Sequence, residues 1–293
     1  MLARQRQAYI LERVREDGGV RVSDLVRELA VSDMTIRRDL ELLADQGLIE
    51  KVHGGATALP GSAAFEPTFA AKSSLQQLEK EAIADAAVGY VEPGSAIGLS
   101  AGTTTYAIAR RLVEIAGLTV VTNSPRAADV LHEAGRSDQT IILTGGVRTP
   151  SDALVGPFAV SALRSVHLDL VLLGVHGMDE HSGFTSPNLL EAETDRTLVD
   201  AGRRLVVVAD HTKWGVVGLS SIARLDQADV LITDGHLDTE ARDVLGSQVR
   251  ELIEARPRDL DPSIRPPAFE LPPARRDPRP AAPASSAGLA GRG

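Results

Sequence analysis

The chain contains no cysteine, which excludes disulfides and thiolate metal sites. No stretch of apolar residues is long enough to span a bilayer, and the polar start, Met1-Leu2-Ala3-Arg4-Gln5-Arg6-Gln7, is not a signal peptide. A cytoplasmic location is expected. Basic charge is also short: 31 Lys and Arg stand against 40 Asp and Glu, a formal net charge of −9. Basic and acidic side chains number nine and ten over residues 1–57, fifteen and 26 over 58–255, and seven and four over 256–293. Charge alone does not point to nucleic acid, so affinity for it has to come from a few locally placed side chains.

What is present is the run Ser32-Asp33-Met34-Thr35-Ile36-Arg37-Arg38-Asp39-Leu40, continuing through Leu43 to Gly47-Leu48-Ile49-Glu50-Lys51-Val52-His53-Gly54-Gly55-Ala56. Ser32 is an N-cap type residue, and Ile36, Leu40 and Leu43 recur at helical spacing, so a helix opens there with one apolar stripe inward and ends at Gly47. Upstream, Ser23 is expected to cap a shorter helix that buries Leu25, Val26 and Leu29. The pair reads as a helix-turn-helix. With Ile36 facing the core, Met34 and Arg38 point outward, and Thr35 and Arg37 lie on the flanks, within reach of base edges and phosphates. Residues 48–52 read as a short strand with Lys51 outward, and Gly54-Gly55 permits the tight turn of a wing against the DNA backbone. Arg4 and Arg6 are further candidates for contact. A single domain without net positive charge binds weakly, and a dimer or tetramer that sets two recognition helices on repeated half-sites is expected.

These residues resemble the DeoR/GlpR family of bacterial transcriptional regulators, whose signature is a Ser-x-x-Thr-Ile-Arg-Arg-Asp-Leu recognition helix followed by a Gly-Leu-Ile-x-Lys/Arg-x-His/Tyr-Gly-Gly-Ala wing. The resemblance implies double-stranded operator DNA as a partner, contacted by Ser32, Met34, Thr35, Arg37, Arg38, Lys51 and His53.

Residues 58–78, with Pro60, Gly61, Ser62, Pro67 and Ser73-Ser74 and no sustained period, read as an interdomain linker between a DNA-binding domain over 1–57 and a second domain over 79–255. Beyond residue 255, nine prolines sit among Ala, Ser and Arg with few large apolar side chains. That composition predicts a disordered tail over 256–293.

In the second domain, apolar runs at residues 96–99, 118–121, 140–143, 168–173, 205–208 and 229–232 alternate with helical patterns such as 106–115 and 189–201. The expected fold is α/β, a doubly wound, mainly parallel sheet behind the small winged helix-turn-helix. Ligands of such sheets bind beyond the carboxyl ends of the strands, where this chain places its polar and glycine-rich loops. In Gly102-Thr103-Thr104-Thr105, glycine allows close approach and the threonines bring hydroxyls and amides to a helix start, which suits a phosphate and equally suits ordinary capping. Lys213 adds a cation to a strongly acidic domain. Glu191, three residues after Asn188, is either the partner in a capping box or a ligand contact. Residues 80–234 are similar to the DeoR-type sensor domain, related in fold to ribose-5-phosphate isomerase and CoA transferases. The stations Gly102 to Thr105, Thr122-Asn123, Thr144-Gly145-Gly146 and Asp210 to Lys213 fall in the family's order, although Ser100-Ala101 stands where many relatives carry an acidic residue. The resemblance implies a phosphorylated sugar effector held by Gly102, Thr103, Thr104, Thr105, Thr122, Asn123, Gly145, Gly146, Glu191 and Lys213, and a repressor of carbohydrate uptake or catabolism.

Two enzyme readings stand beside this one. Gly98-Leu99-Ser100-Ala101-Gly102 fits the Gly-x-Ser-x-Gly nucleophile elbow, with Asp210 and His211 or His236 downstream, but the elbow would lie on the first strand of its domain. A sugar-phosphate isomerase with Glu191 as base and Lys213 as stabiliser is the alternative function. No cofactor or metal is expected, since His167, His176, His181, His211 and His236 show neither an i, i+4 helical pair nor a carboxylate at ligand spacing.

Overall fold

The computed structural model describes residues 3–17, 19–45, 48–52, 54–57, 66–73 and 75–256. The chain begins with α1 (Ala3–Asp17), β1 (Gly19–Arg21), α2 (Val22–Leu29) and α3 (Asp33–Asp45), followed by β2 (Glu50–Val52) and β3 (Gly55–Thr57). Ile10, Val14, Leu25, Ile36, Leu40 and Leu43 close one small core. The strands form an antiparallel sheet in the order β1-β3-β2. The approach of β1 to β3 needs glycine: a Cβ on Gly55 would lie 2.0 Å from the Val20 carbonyl oxygen. This is a winged helix-turn-helix. Because α2 starts at Val22 after Arg21, Ser23 lies inside its first turn and does not cap it. Gly47 lies outside the described residues.

Within the span read as a linker, Phe69–Ser73 forms α4, and α5 (Gln77–Ala87) follows. Buried Phe69 meets Tyr106 edge-to-face with 5.7 Å between centroids, and the Arg126 guanidinium lies 4.4 Å from its ring centre. Pro67 and the serines of this span hide a docked segment, because the anchoring contact is one aromatic side chain and not a periodic stripe.

The rest alternates strands and helices: β4 (Ala96–Leu99), α6 (Thr103–Leu112), β5 (Thr119–Thr122), α7 (Pro125–Glu133), β6 (Thr140–Leu143), β7 (Val147–Arg148), β8 (Leu154–Val155), α8 (Pro157–Leu163), β9 (Leu170–Gly174), β10 (Gly177–Asp179), β11 (Gly183–Ser186), α9 (Leu189–Ala201), β12 (Leu205–Val208), β13 (Ser220–Ala223), β14 (Val230–Asp234), α10 (Thr239–Gln248) and β15 (Leu252–Ala255). Seven strands form one parallel sheet in the order β15-β14-β12-β9-β4-β5-β6. Successive strand residues serve opposite cores: Leu170, Leu172, Val206 and Val208 pack with α5 and α6, while Val171, Leu173, Leu205 and Val207 pack with α9 and α10. Covering both faces is what a parallel sheet of continuous apolar strands requires. A small antiparallel sheet, β10-β11-β13, and the hairpin β7-β8 were not legible as alternating runs.

Since β15 ends at Ala255, truncation after Arg256 removes no strand among the described residues. Its melting temperature is expected to match that of the full chain, and a thermal scan showing a drop of several degrees would contradict this.

Candidate functional site

Two surfaces carry the candidate residues. On the first, Ser32 caps α3 by accepting from the Thr35 amide at 3.3 Å, and its hydroxyl lies 2.8 Å from that of Thr35. Ile36 is fully buried, which turns Met34 (74 % exposed), Arg37 and Arg38 to the surface. Arg37 is paired with Asp33 one turn back, and Lys51 on the wing strand donates to Glu41 of α3 at 2.6 Å. Arg38 makes no ion pair among the described residues. Arg6 is a correction: its Nε donates to Asp39, which is 3 % exposed and also accepts from Gln7, so Arg6 fastens α1 to α3 instead of reaching outward. His53 and the side chain of Arg4 lie outside the described residues.

The second surface is a cavity of about 240 Å³ at the carboxyl ends of β4, β9 and β12. Gly102, Thr103, Thr104, Glu191 and Lys213 border it. Gly102 precedes α6 with φ +153° and ψ 166°, a conformation that L side chains rarely adopt, so the strand can turn directly into the helix. That turn leaves the first amides of α6 facing the cavity with the positive end of the helix dipole. Thr105 instead folds back, its hydroxyl donating to the Gly102 carbonyl.

Thr122, Asn123, Gly145 and Gly146 do not border the cavity. The Thr122 hydroxyl donates to the Leu99 carbonyl, and the Asn123 Oδ1 accepts from the Ala101 amide at 2.8 Å, so both hold the strand end that carries Gly102. A Cβ on Gly146 would lie 2.5 Å from the Val155 carbonyl oxygen, and this glycine therefore serves backbone packing.

Sequence reasoning missed Glu66, Lys72, Lys80 and Asp195, and it named His176 only among the histidines and Asp210 only within its strand-end station. Lys80, 6 % exposed, donates to the carbonyls of Lys72 and Leu75 at 2.6 Å each and ties the end of α4 to α5. Burial lowers its ammonium to about 8, with nearby Asp210 pulling the other way. Burial also lowers Lys72, against the attraction of Glu191. Glu66 accepts from the Ser151 amide and from the Asn188 side chain at 2.8 Å; burial raises its pKa less than these bonds together lower it. Asn188 caps α9 by accepting from the amides of Leu190 and Glu191. Glu191 does not complete a capping box: its carboxylate turns to the Ser151 hydroxyl at 3.3 Å, and burial raises its pKa.

Burial, with Lys213 and Lys72 nearby, holds His176 down to about 4 against the usual 6.5. Between those values the unfolded chain takes up a proton that the folded one refuses, so this contribution to stability is lost as pH falls from 6.5 towards 4. His176→Gln is expected to remove about 3 kcal/mol of the acid-side loss in denaturant titrations across that window. An unchanged profile would show that His176 takes its proton freely.

The elbow reading fails on geometry. Ser100 is fully buried and its Oγ accepts from the Gly174 amide at 2.9 Å. His211 and His236 both place Nδ1 3.0 Å from the buried Asp234 carboxylate, which corrects their reading as histidines without a carboxylate partner. Burial raises the Asp234 pKa less than the hydrogen bonds from His211 and His236 lower it.

Among known proteins, the DeoR-like helix-turn-helix domain profile matches residues 6–60 and the DeoR C terminal sensor domain profile matches residues 75–235. The HTH-type transcriptional regulator GlpR of Haloferax volcanii is 41 % identical over 249 residues, covering 84 % of this chain and 96 % of that protein. The glycerol-3-phosphate regulon repressor of Escherichia coli is 34 % identical over 231 residues, covering 78 % and 90 %. Among solved structures, a D-ribose-5-phosphate isomerase in complex with phospho-erythronic acid shows 18 % identity and a TM-score of 0.35 over 47 % of this chain and 54 % of that one. A likeness that remote says nothing of activity. No helix among the described residues is long and apolar enough to cross a membrane.

Proposed function

Because the chain belongs to the DeoR family of transcriptional regulators, we propose that it is a cytoplasmic repressor of a carbohydrate uptake or catabolism operon whose operator affinity is set by a phosphorylated sugar. The observation that carries the effector half is one cavity bordered by the amino-terminal end of α6, Lys72 and Lys213. Helix-end amides and lysines together reward a phosphate, and neither rewards the neutral sugar. The DNA half rests on α3, whose Arg37 and Arg38 stand on the exposed face. Two copies on repeated half-sites supply the affinity that one weakly charged domain lacks, so the chain acts as a dimer or tetramer.

The route between the halves is the segment 66–73, which joins the DNA-binding domain over 1–57 to the sensor domain over 79–255. Glu66 and Lys72 at its two ends border the cavity, so a ligand that draws on Lys72 acts on the chain leading to the recognition helix. This gives the two sites a shared element to bias, which is what a coupling between them requires. The isomerase alternative is not favoured: the relatives are named regulators and repressors.

Trp214, the one tryptophan of the chain, adjoins Lys213. A fluorescence screen of the full chain against matched pairs of phosphorylated and unphosphorylated sugars tests the reading. A saturable response to a phosphorylated member and none to its neutral partner is expected. Equal responses to both would remove the phosphate from the account.

A further inference from the structure

Opposite in character to the lysines, the α9 wall of the cavity carries two carboxyl groups. Glu191 and Asp195 are four residues apart on one helix, hence on one face. Asp195 is 3 % exposed and its Oδ1 has no hydrogen-bond partner among the described residues. Arg196 beside it is engaged elsewhere, donating to the Ser221 carbonyl and the Ser220 hydroxyl. A buried polar atom left unpaired at a cavity wall is costly unless something enters to pair with it.

We propose that Asp195, backed by Glu191, reads the non-phosphorylated end of the effector and restricts it to an uncharged, hydroxylated one. The ligand is then the monophosphate of a polyol or neutral sugar, and bisphosphates and phosphorylated sugar acids are refused. This rests on the phosphorylated-sugar reading above and adds which members of that class bind.

The cations present support the restriction. Lys80 is held by two backbone carbonyls, and Lys72 lies in the field of both Glu66 and Glu191. Lys213 and the end of α6, together with the part of the Lys72 charge that Glu66 and Glu191 leave uncompensated, suffice for one phosphate. A second anionic group lying against α9 would have to shed its water beside two buried carboxyl groups with no unengaged cation to meet it, which is costly in a shielded site. Burial, with Glu191 nearby, holds the Asp195 carboxyl well above its ordinary range, so it keeps a proton to donate to a ligand oxygen. A site built to hydrogen-bond a hydroxyl discriminates sharply because its buried partner is otherwise stranded.

The test is calorimetric titration of the full chain with three pairs: glycerol 3-phosphate and 3-phosphoglycerate, glucose 6-phosphate and 6-phosphogluconate, fructose 6-phosphate and fructose 1,6-bisphosphate. Whichever neutral-ended monophosphates bind are expected to bind at least about tenfold more tightly than their anionic partners. Asp195→Asn, which keeps a donor of the same shape, is expected to retain that binding, while Asp195→Leu is expected to lose about tenfold or more with operator binding intact. Operator binding reports that each variant is folded. Equal affinity within the pairs, or unchanged binding by Asp195→Leu, overturns this inference and leaves the phosphate reading standing. If no phosphorylated compound binds, both fall.

Discussion

Replacing Arg38 with Ala is expected to weaken operator binding by about 1 to 3 kcal/mol per half-site, the range for losing a base-edge contact. The side chain stands on the exposed face of α3, opposite buried Ile36, and no carboxylate among the described residues holds it. Arg37→Ala is expected to cost less, because Arg37 must first give up its exposed, water-screened pairing with Asp33. Folding is unaffected in both, since neither side chain enters the core of Ile10, Leu25 and Leu40. Gel-shift titrations check this. Wild-type affinity in both variants would remove α3 as the reader of DNA.

The second large effect is expected at the sensor. Lys213→Ala and Thr104→Val are expected to abolish the change in operator affinity caused by the effector, a change typically about 5- to 150-fold for coupled sites. Lys213 removes a cation from the cavity. Thr104→Val removes a hydroxyl at the start of α6 while nearly conserving its shape. Neither residue belongs to the winged domain, so operator binding without effector stays at the wild-type level. Variants that respond to effector with the wild-type concentration dependence would move the sensing site elsewhere.

How far the sequence led can be judged residue by residue. Helix α3 was legible because Ile36, Leu40 and Leu43 repeat at helical spacing behind a Ser cap, and α9 was legible to its last residue for the same kind of reason. The helix expected over 106–115 begins at Thr103 instead, since Gly102 lets the strand turn into the helix without a loop. Strands β5, β9 and β14 end one or two residues later than their apolar runs, because pairing with neighbours carries Thr122, Gly174 and Asp234 into the ladder. Lys72 and Lys80 could not be found from composition: a lysine on a short helix reads as a solvated one until tertiary packing buries it. Asp195 could have been found, since its four-residue spacing from Glu191 places it on the same helix face. The meeting of His211 with Asp234 follows from the parallel pairing of β12 with β14, which sets Val208 beside Ile232 and their following loops side by side. Single-strand reasoning carries no such neighbour relation.

Coupling between the cavity and α3 is tested most directly by measuring both equilibria on one preparation: operator affinity with and without a saturating phosphorylated sugar, by anisotropy of labelled DNA, and affinity for that sugar with and without operator, by Trp214 fluorescence. The two factors are expected to be equal, as linkage demands, and to vanish together in Lys213→Ala. A sugar phosphate that binds the full chain tightly while leaving operator affinity unchanged would contradict the account.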